Sequence, residues 1–330
     1  MNAIYSITAP SGSTQGALNR RQWPQGDTAL SSGYTSMVPV QINGKLFLFA
    51  FNKATQQLDA YILSGSDPWV QQTSCKVNLP HGPWDTLNSF VLGNVSYLLT
   101  YRADTGGFGF FAVASDLTVS PPYIFVPSHS TPSKGFTTVA TYTSLGGQYV
   151  LGYDSKTGRV ENFNVTVVPS STGGKPPLLA LNIWYHTWAP NWTQFAFFQL
   201  GGSTFFFKIN ISHDTQTNKP KLNNVNIDHM QDNPAMGSIE VGSELQDQLP
   251  DAVSINVAAI IPWAHGEPYL LTYIASSGKT AMYQIRSDCL GWTLQISTIT
   301  IAGASIAVPY RIGDTSYILL YSGEAVEKSG

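Results

Sequence analysis

One short pattern returns six times along this chain, and a chain built from six copies of one unit has few ways to fold. The copies include "SYLLTYRAD", "QYVLGYDSK", "TFFFKINIS", "PYLLTYIAS" and "SYILLYSGE". Aligned on their first aromatic, they place Phe47, Tyr97, Tyr149, Phe205, Tyr269 and Tyr317 in one column. Four residues later stand Phe51, Tyr101, Tyr153, Ile209, Tyr273 and Tyr321. A spacing of four keeps both anchors on one face of a strand, because side chains alternate with period two. A few residues ahead of each first anchor is a glycine: Gly44, Gly93, Gly146, Gly201, Gly266 or Gly313. Each marks a hairpin turn after an apolar run such as "MVPVQI", "VATYTSL" or "FAFFQL".

Beyond the second anchor the chain turns again and a third strand follows, as in "LDAYIL", "FGFFAV", "VENFNV", "LNNVNI" and "TAMYQI". Its central residue is Tyr61, Phe111, Phe163, Val225 or Tyr283, with "HDTQTNKPK" inserted ahead of Val225. A tryptophan then opens a fourth strand in "DPWVQQTS" and "LGWTLQIS". The sixth copy reaches Gly330 without a third strand. Its counterpart is "NAIYSI" at the other end of the chain, with Tyr5 in the central position, and "RQWPQGD" at Trp23 supplies the fourth strand. The first anchors lie 50, 52, 56, 64 and 48 residues apart, and the step from Tyr317 round to Phe47 is 60. The expected fold is therefore all-β: residues 1–330 form one domain, a six-bladed β-propeller with four strands per blade. The N-terminal strand closes it by pairing within the last blade, which removes an open edge. A β-sandwich would explain the strands but not the sixfold period. Helix is confined to a turn in "SIEVGSELQDQLPD", where Ser243 begins a weak capping pattern.

Composition narrows the function. Only 11% of residues are charged, against about 25% in an ordinary globular chain. A net charge of −3 argues against a nucleic-acid partner. No apolar run of about 18 residues is present, so no membrane span is expected. "MNAIYSITAPSGSTQG" has no basic segment followed by a long apolar one, so the chain as written reads as cytoplasmic, or as secretory if a leader was removed. Cys75 and Cys289 read as buried free thiols. Sequons at Asn94, Asn164, Asn191 and Asn210 would matter only in the secretory pathway. No phosphate-binding glycine loop or dinucleotide fingerprint occurs, so no cofactor is expected. The first strands hold almost no His, Asp or Glu, so neither a metal site nor a pair of glycosidase carboxylates is visible. An apolar funnel of this kind suits an apolar small-molecule substrate.

Candidate site residues follow from the blade plan. The mouth is formed by loops leading into first strands and by loops between second and third strands. Tyr34, Trp84, Phe136, Trp188 and Trp192 cluster at the first set, and serve either as packing between blades or as a ring that stacks on a flat ligand. Beside them stand His81, Asp85, Arg102 and Asp154; Arg102 and Asp154 hold equivalent slots in adjacent blades and could form a surface ion pair. His81, Asp85 and Arg102 are the catalytic candidates, with Arg102 or His81 polarising a carbonyl. Asp154 joins the aromatics in binding. "WYHTWAPNW" reads as an exposed fourth strand or as a lid, because the Pro- and Gly-rich "VVPSSTGGKPP" precedes it, and "DHMQDNPAMGSIEVGSELQDQLPD" reads as a second cover.

The repeat lacks the Gly-His and Trp-Asp of WD40 propellers and the double glycines of kelch. Its Tyr-rich second strand and Trp-led fourth strand resemble the six-bladed fucose-binding lectins of fungi. That resemblance implies sugar sites between blades, held by Arg and Glu in nearly every repeat. Here the matching slots hold Ala50, Thr100, Gly152, Lys208, Thr272 and Leu320, with no repeated cation or acid. In length, six-blade layout, aromatic content and absence of cofactor motifs, the chain also looks like the lectin-like propeller enzymes of fungal tropolone–sesquiterpene pathways. Those enzymes perform intermolecular hetero-Diels–Alder reactions, joining a quinone-methide-type tropolone to a humulene-type terpene. The resemblance implies a cofactor-free cycloaddition, for which holding two partners in reactive geometry does most of the work. The alternative is a carbohydrate-binding lectin.

Overall fold

In the computed structural model, residues 2–8, 16–21, 30–63, 70–79, 82–120, 131–168, 178–249, 251–262 and 268–323 are described. The chain opens with β1 (Ala3–Thr8) and β2 (Ala17–Arg21). Blade one holds β3 (Ser36–Ile42), β4 (Lys45–Asn52), β5 (Gln57–Leu63) and β6 (Val70–Asn78). Blade two holds β7 (Thr86–Leu92), β8 (Val95–Arg102) and β9 (Gly107–Val113). Blade three holds β10 (Thr138–Ser144), β11 (Gly147–Tyr153), β12 (Arg159–Val167) and β13 (Leu178–Thr187). Blade four holds β14 (Trp192–Leu200), β15 (Ser203–His213), β16 (Pro220–Met230) and β17 (Ser238–Gly242). Blade five holds β18 (Val257–Ile261), β19 (Tyr269–Ile274), β20 (Lys279–Ile285) and β21 (Trp292–Ile299). Blade six holds β22 (Ile306–Ile312) and β23 (Thr315–Tyr321), completed by β1 and β2 in the order β2-β1-β23-β22.

Every blade is an antiparallel meander, and the first strands of successive blades touch in a closed circle from β3 through β7, β10, β14, β18 and β22 back to β3. This is the six-bladed β-propeller the repeat requires. Helix is limited to three 3-10 turns among the described residues, one of them Leu245–Gln248 within the stretch where a helical turn was expected. Two-residue turns at Asn43-Gly44 and Leu145-Gly146 have positive φ at both positions, which matches the right-handed twist of the strands they join. The N-terminal closure is also as expected, with Tyr5 opposite Ile318.

Several local expectations are corrected. The fourth strand of blade six is Ala17–Arg21, ahead of Trp23, which lies outside the described residues. Among the described residues, blade two shows three strands and the bridge Val113–Val119; its remaining stretch, 121–130, lies outside the described residues. "HDTQTNKPK" caps a longer hairpin: His213 ends β15, Pro220 begins β16, each strand has 11 residues, and 214–219 make the turn. Of the two readings of "WYHTWAPNW", the fourth strand holds for "WYHT", which ends β13, and residues 238–242 of the second expected cover form β17. Of the two cysteines, Cys289 is a buried free thiol.

The second-anchor tyrosines explain how blades are joined. The Tyr101 hydroxyl donates to the Ser133 carbonyl at 2.5 Å and accepts the Phe136 N–H at 3.1 Å. Tyr153 does the same with Ala189 and Trp192, Tyr273 with Ile301 and Ala304, and Tyr321 with Ser31 and Tyr34. In each case the carbonyl and N–H are three residues apart, so one buried hydroxyl ties down the strand-free linker to the next blade. Where blade one has Phe51 instead, Gln56 takes over: its amide donates to the Trp84 carbonyl and accepts the Trp84 N–H. These linkers would otherwise leave buried backbone groups unpaired.

Candidate functional site

Register shows where one blade departs from the others. The residue after each first anchor faces an aromatic on the third strand in five blades: Leu48–Tyr61, Leu98–Phe111, Val150–Phe163, Leu270–Tyr283 and Ile318–Tyr5. In blade four the equivalent Phe206 faces Asp228. The sequence alignment placed Val225 in that column, but Val225 faces Ile209, the second anchor. Two residues further along the second strand, where other blades have Ala50, Thr100, Gly152, Thr272 or Leu320, blade four has Lys208. A core aromatic and a mostly small or apolar residue are thus replaced by an acid and a base, in one blade only.

The two form a buried ion pair. Lys208 Nζ lies 2.7 Å from Asp228 Oδ2, and the residues are 4% and 3% exposed. Burial pushes the Lys208 ammonium down and the Asp228 carboxyl up, and each is opposed by the charge of the other. The ammonium also sits 4.3 Å from the Trp192 ring centre and 4.5 Å from that of Trp188. A desolvated cation–π contact is worth about 2 kcal/mol. Ser238 Oγ donates to Asp228 Oδ2 at 3.4 Å, and Asn226 Nδ2 donates to Glu240. Asp228 and Glu240 are direct partners across β16 and β17, so both carboxylates rise from the same face. The pairing slips between Ile227 and Asp228, a bulge that re-aims the side chains beyond it.

These groups line an open pocket of about 310 Å³, walled by His186, Trp188, Trp192, Lys208, Asp228 and Glu240. It lies between the outer strand of blade three and the second, third and fourth strands of blade four. Blades one and three fill the same position from within. In blade one Tyr34 donates to Asp59 and meets the Tyr61 hydroxyl at 2.5 Å. In blade three Ser133 donates to Glu161 through its N–H at 3.1 Å and through its hydroxyl at 2.5 Å. In blade four the residue equivalent to Ser133 is Ala189, which has no hydroxyl to offer.

The residues expected at one mouth are distributed over several linkers. Trp188 and Trp192 are brought together here with Lys208. Tyr34, Trp84 and Phe136 are buried at equivalent linker positions in other blades, at 4%, 1% and 3% exposure. Trp84 meets Phe111 edge-on, and Phe136 stacks on Tyr101 above Gly152, where an added Cβ would lie 2.3 Å from the ring. Asp85 pairs with Lys53 at 2.7 Å and accepts the Ala103 N–H at 2.7 Å. Burial raises its carboxyl, but those hydrogen bonds and the nearby Lys53 and Arg102 charges bring it below the ordinary value. Arg102 lies 3.5 Å from Asp104, while Asp154 accepts from the Lys156 N–H and the Thr157 hydroxyl, so the expected pair between Arg102 and Asp154 is replaced by separate contacts. His81 lies outside the described residues.

Sequence reasoning had Lys208 in view as a slot residue but missed Asp228, Glu240, His186 and Ser238. The signal was present: Asp228 falls into the aromatic column once the insertion is placed within the hairpin.

A second cavity, also about 310 Å³, lies where β7, β10 and β14 run side by side, with Phe90, Tyr142, Phe197, Phe198, Gln148 and Thr204 in its wall. Tyr142 stacks on Phe197 at 4.7 Å and on Tyr149 at 5.2 Å. This cavity opens toward the first hairpins, not toward the interblade linkers where a tunnel-mouth pocket was expected.

No family model matches the sequence, and no curated protein matches it. Among solved structures, the chain is similar to an α-L-arabinanase of Penicillium chrysogenum complexed with arabinobiose. Identity is 11%, coverage is 97% of this chain and 98% of that one, and the TM-score is 0.55. It is also similar to an α-L-arabinofuranosidase of Fusarium graminearum in complex with an iminosugar inhibitor, at 8% identity, with 87% and 93% coverage and a TM-score of 0.52. Likeness at this level of identity shows the shared propeller fold. The resemblance to the hetero-Diels–Alderase family gains no support from these comparisons.

Proposed function

We propose that this propeller binds a carbohydrate at the blade-four pocket, with one site per chain. The observation that carries the reading is the replacement, in blade four alone, of a core aromatic and a small or apolar residue by Asp228 and Lys208. A buried ion pair contributes little to stability compared with well-packed apolar side chains. Its presence beside an open pocket is explained better by a ligand than by the fold. A sugar ring has apolar C–H faces and a rim of hydroxyls. Trp188 and Trp192 offer aromatic surface, and Asp228, Glu240 and Lys208 offer hydrogen-bonding groups. Lys208 also stands in the column that the resemblance to fungal fucose-binding lectins matches to their sugar-holding charged residues. That two proteins of the same fold are named for arabinan and arabinofuranoside chemistry agrees with this reading. A glycan array followed by isothermal titration tests it. One site per chain, lost in Lys208→Met, is the expected result. No glycan bound, or three or more sites per chain, overturns it.

A second reading rests on the cavity at β7, β10 and β14. Its wall of stacked aromatics suits two flat, apolar partners held in reactive geometry, as a cofactor-free cycloaddition of the hetero-Diels–Alder type requires. Trp84, Asp85 and Arg102 stand at the opposite end of these strands, so catalysis in that cavity would not use them. The test is product formation from a quinone-methide-type tropolone and a humulene-type terpene. A rate above the solution background that falls tenfold or more in Phe197→Ala supports this reading. A rate equal to background removes it.

A further inference from the structure

The blade-four pocket is unequal in what it offers a ligand. Its single ammonium, on Lys208, is already bonded to Asp228 and covered by two indole rings. Its acceptors are less occupied. Asp228 Oδ1 is buried and has no hydrogen-bond partner among the described residues. Glu240 is exposed on the rim, and its negative charge acts on both Lys208 and Asp228. The remaining titratable group of the lining is His186, which is exposed. With the imidazole neutral, two carboxylates therefore face one ammonium.

A ligand completes this site best by bringing donors and positive charge. The acceptor open to a ligand is the Glu240 carboxylate, and a charged donor bonds a carboxylate more strongly than a neutral one does. A protonated amine would also meet the excess carboxylate charge of Asp228 and Glu240. An acid sugar meets the reverse. The cation it would seek is neutralised at 2.7 Å, and Glu240 repels it. We infer that the pocket selects amino sugars with a free amine and discriminates against uronic acids. This rests on the carbohydrate reading and names the ligand class within it.

Isothermal titration of the full chain at pH 8 and low salt decides the matter, since imidazole is ordinarily neutral there. The probes are glucosamine and galactosamine, their N-acetyl forms, and glucuronate and galacturonate. The N-acetyl forms keep the ring and remove the charge. One of the free amines is expected to bind at least tenfold tighter than its N-acetyl form, and the matching uronate at least tenfold weaker than the amine. Glu240→Gln should reduce the ratio of amine to N-acetyl affinity at least threefold, and added salt should reduce it further. An N-acetyl sugar or a uronate that binds as well as the amine overturns this inference and leaves the carbohydrate reading standing. If none of the six binds while the array shows another glycan bound, the inference fails alone. If no glycan binds at all, both fail.

Discussion

Replacing the blade-four pair by the residues of its neighbours is the sharpest test of the register argument. Lys208→Thr alone leaves the Asp228 carboxylate without its cation in a site only 3% exposed. Removing one partner of a buried pair costs about 3–5 kcal/mol. Unfolding entropy of roughly 2.1 cal/mol/K per residue gives ~0.7 kcal/mol/K over the chain, so a loss of about 4 kcal/mol lowers Tm by about 6 °C. Lys208→Thr with Asp228→Phe recreates the residues of blade two, where Phe111 faces Leu98 and Thr100 lies two residues further along the second strand. The added phenyl ring buries apolar surface worth about 1.5–3 kcal/mol, which offsets the lost cation–π contacts of about 2 kcal/mol. The double variant should therefore melt within about 2 °C of the parent, or above it, while losing sugar binding. Differential scanning calorimetry gives the first readout and isothermal titration the second. A double variant that melts as low as the single one would refute the claim that Asp228 occupies a core-aromatic position. A stable double variant that still binds sugar would move the site elsewhere.

Other outcomes follow from the blade joints. Tyr101→Phe removes the donor to the Ser133 carbonyl and the acceptor of the Phe136 N–H, so it should cost about 1–3 kcal/mol in chemical denaturation; an unchanged midpoint would dismiss the hydroxyl as a clasp. Burial, only partly opposed by that N–H, pushes the Tyr101 hydroxyl up to about 12, and Tyr153, Tyr273 and Tyr321 are also raised by burial. The unfolded chain ionises these groups near the ordinary value of 10 while the folded one stays protonated, so this stability is complete below pH 10 and is lost as pH rises toward 12. A Tm that stays flat from pH 9 to pH 12 would contradict this. Gly152→Ala drives a methyl group into the Phe136 ring and should cost about 1–3 kcal/mol, read as a lower Tm. Deleting residues 1–8 strips β23 of its partner β1 and should yield insoluble protein or a large drop in Tm; a truncated chain that melts like the full one would refute closure by strand exchange.

Much of the candidate site was hidden by the feature that made the fold readable. Alignment on aromatic anchors works because core positions repeat, and it treats any position that breaks the rule as noise. Asp228 breaks the rule, and with "HDTQTNKPK" inserted ahead of it Val225 falls into its place in the sequence alignment. Glu240 and Ser238 gave no signal, since β17 is short and its stretch read as a loop. Trp188 and Trp192 were found because their stretch is so dense in aromatics; Trp192 is buried at 6%, like Tyr34, Trp84 and Phe136, and differs from them in lying over the Lys208 ammonium.

The sequence by itself determined the blade count, the strand order within a blade and the closure of the ring. These depend on residue type at fixed spacing: alternating apolar side chains set the strands, and glycine turns set the hairpins. It also argued against a repeated sugar site, because a repeated site needs repeated polar residues. Only the tertiary structure decided which residue faces which across β15 and β16, that Tyr34 and Ser133 fill from within what Ala189 leaves open, and that Lys208 finds its partner 20 residues away. Pairing register depends on where an insertion is absorbed, whether in a loop or in two longer strands. That choice is made by packing against neighbouring blades, which local spacing does not record.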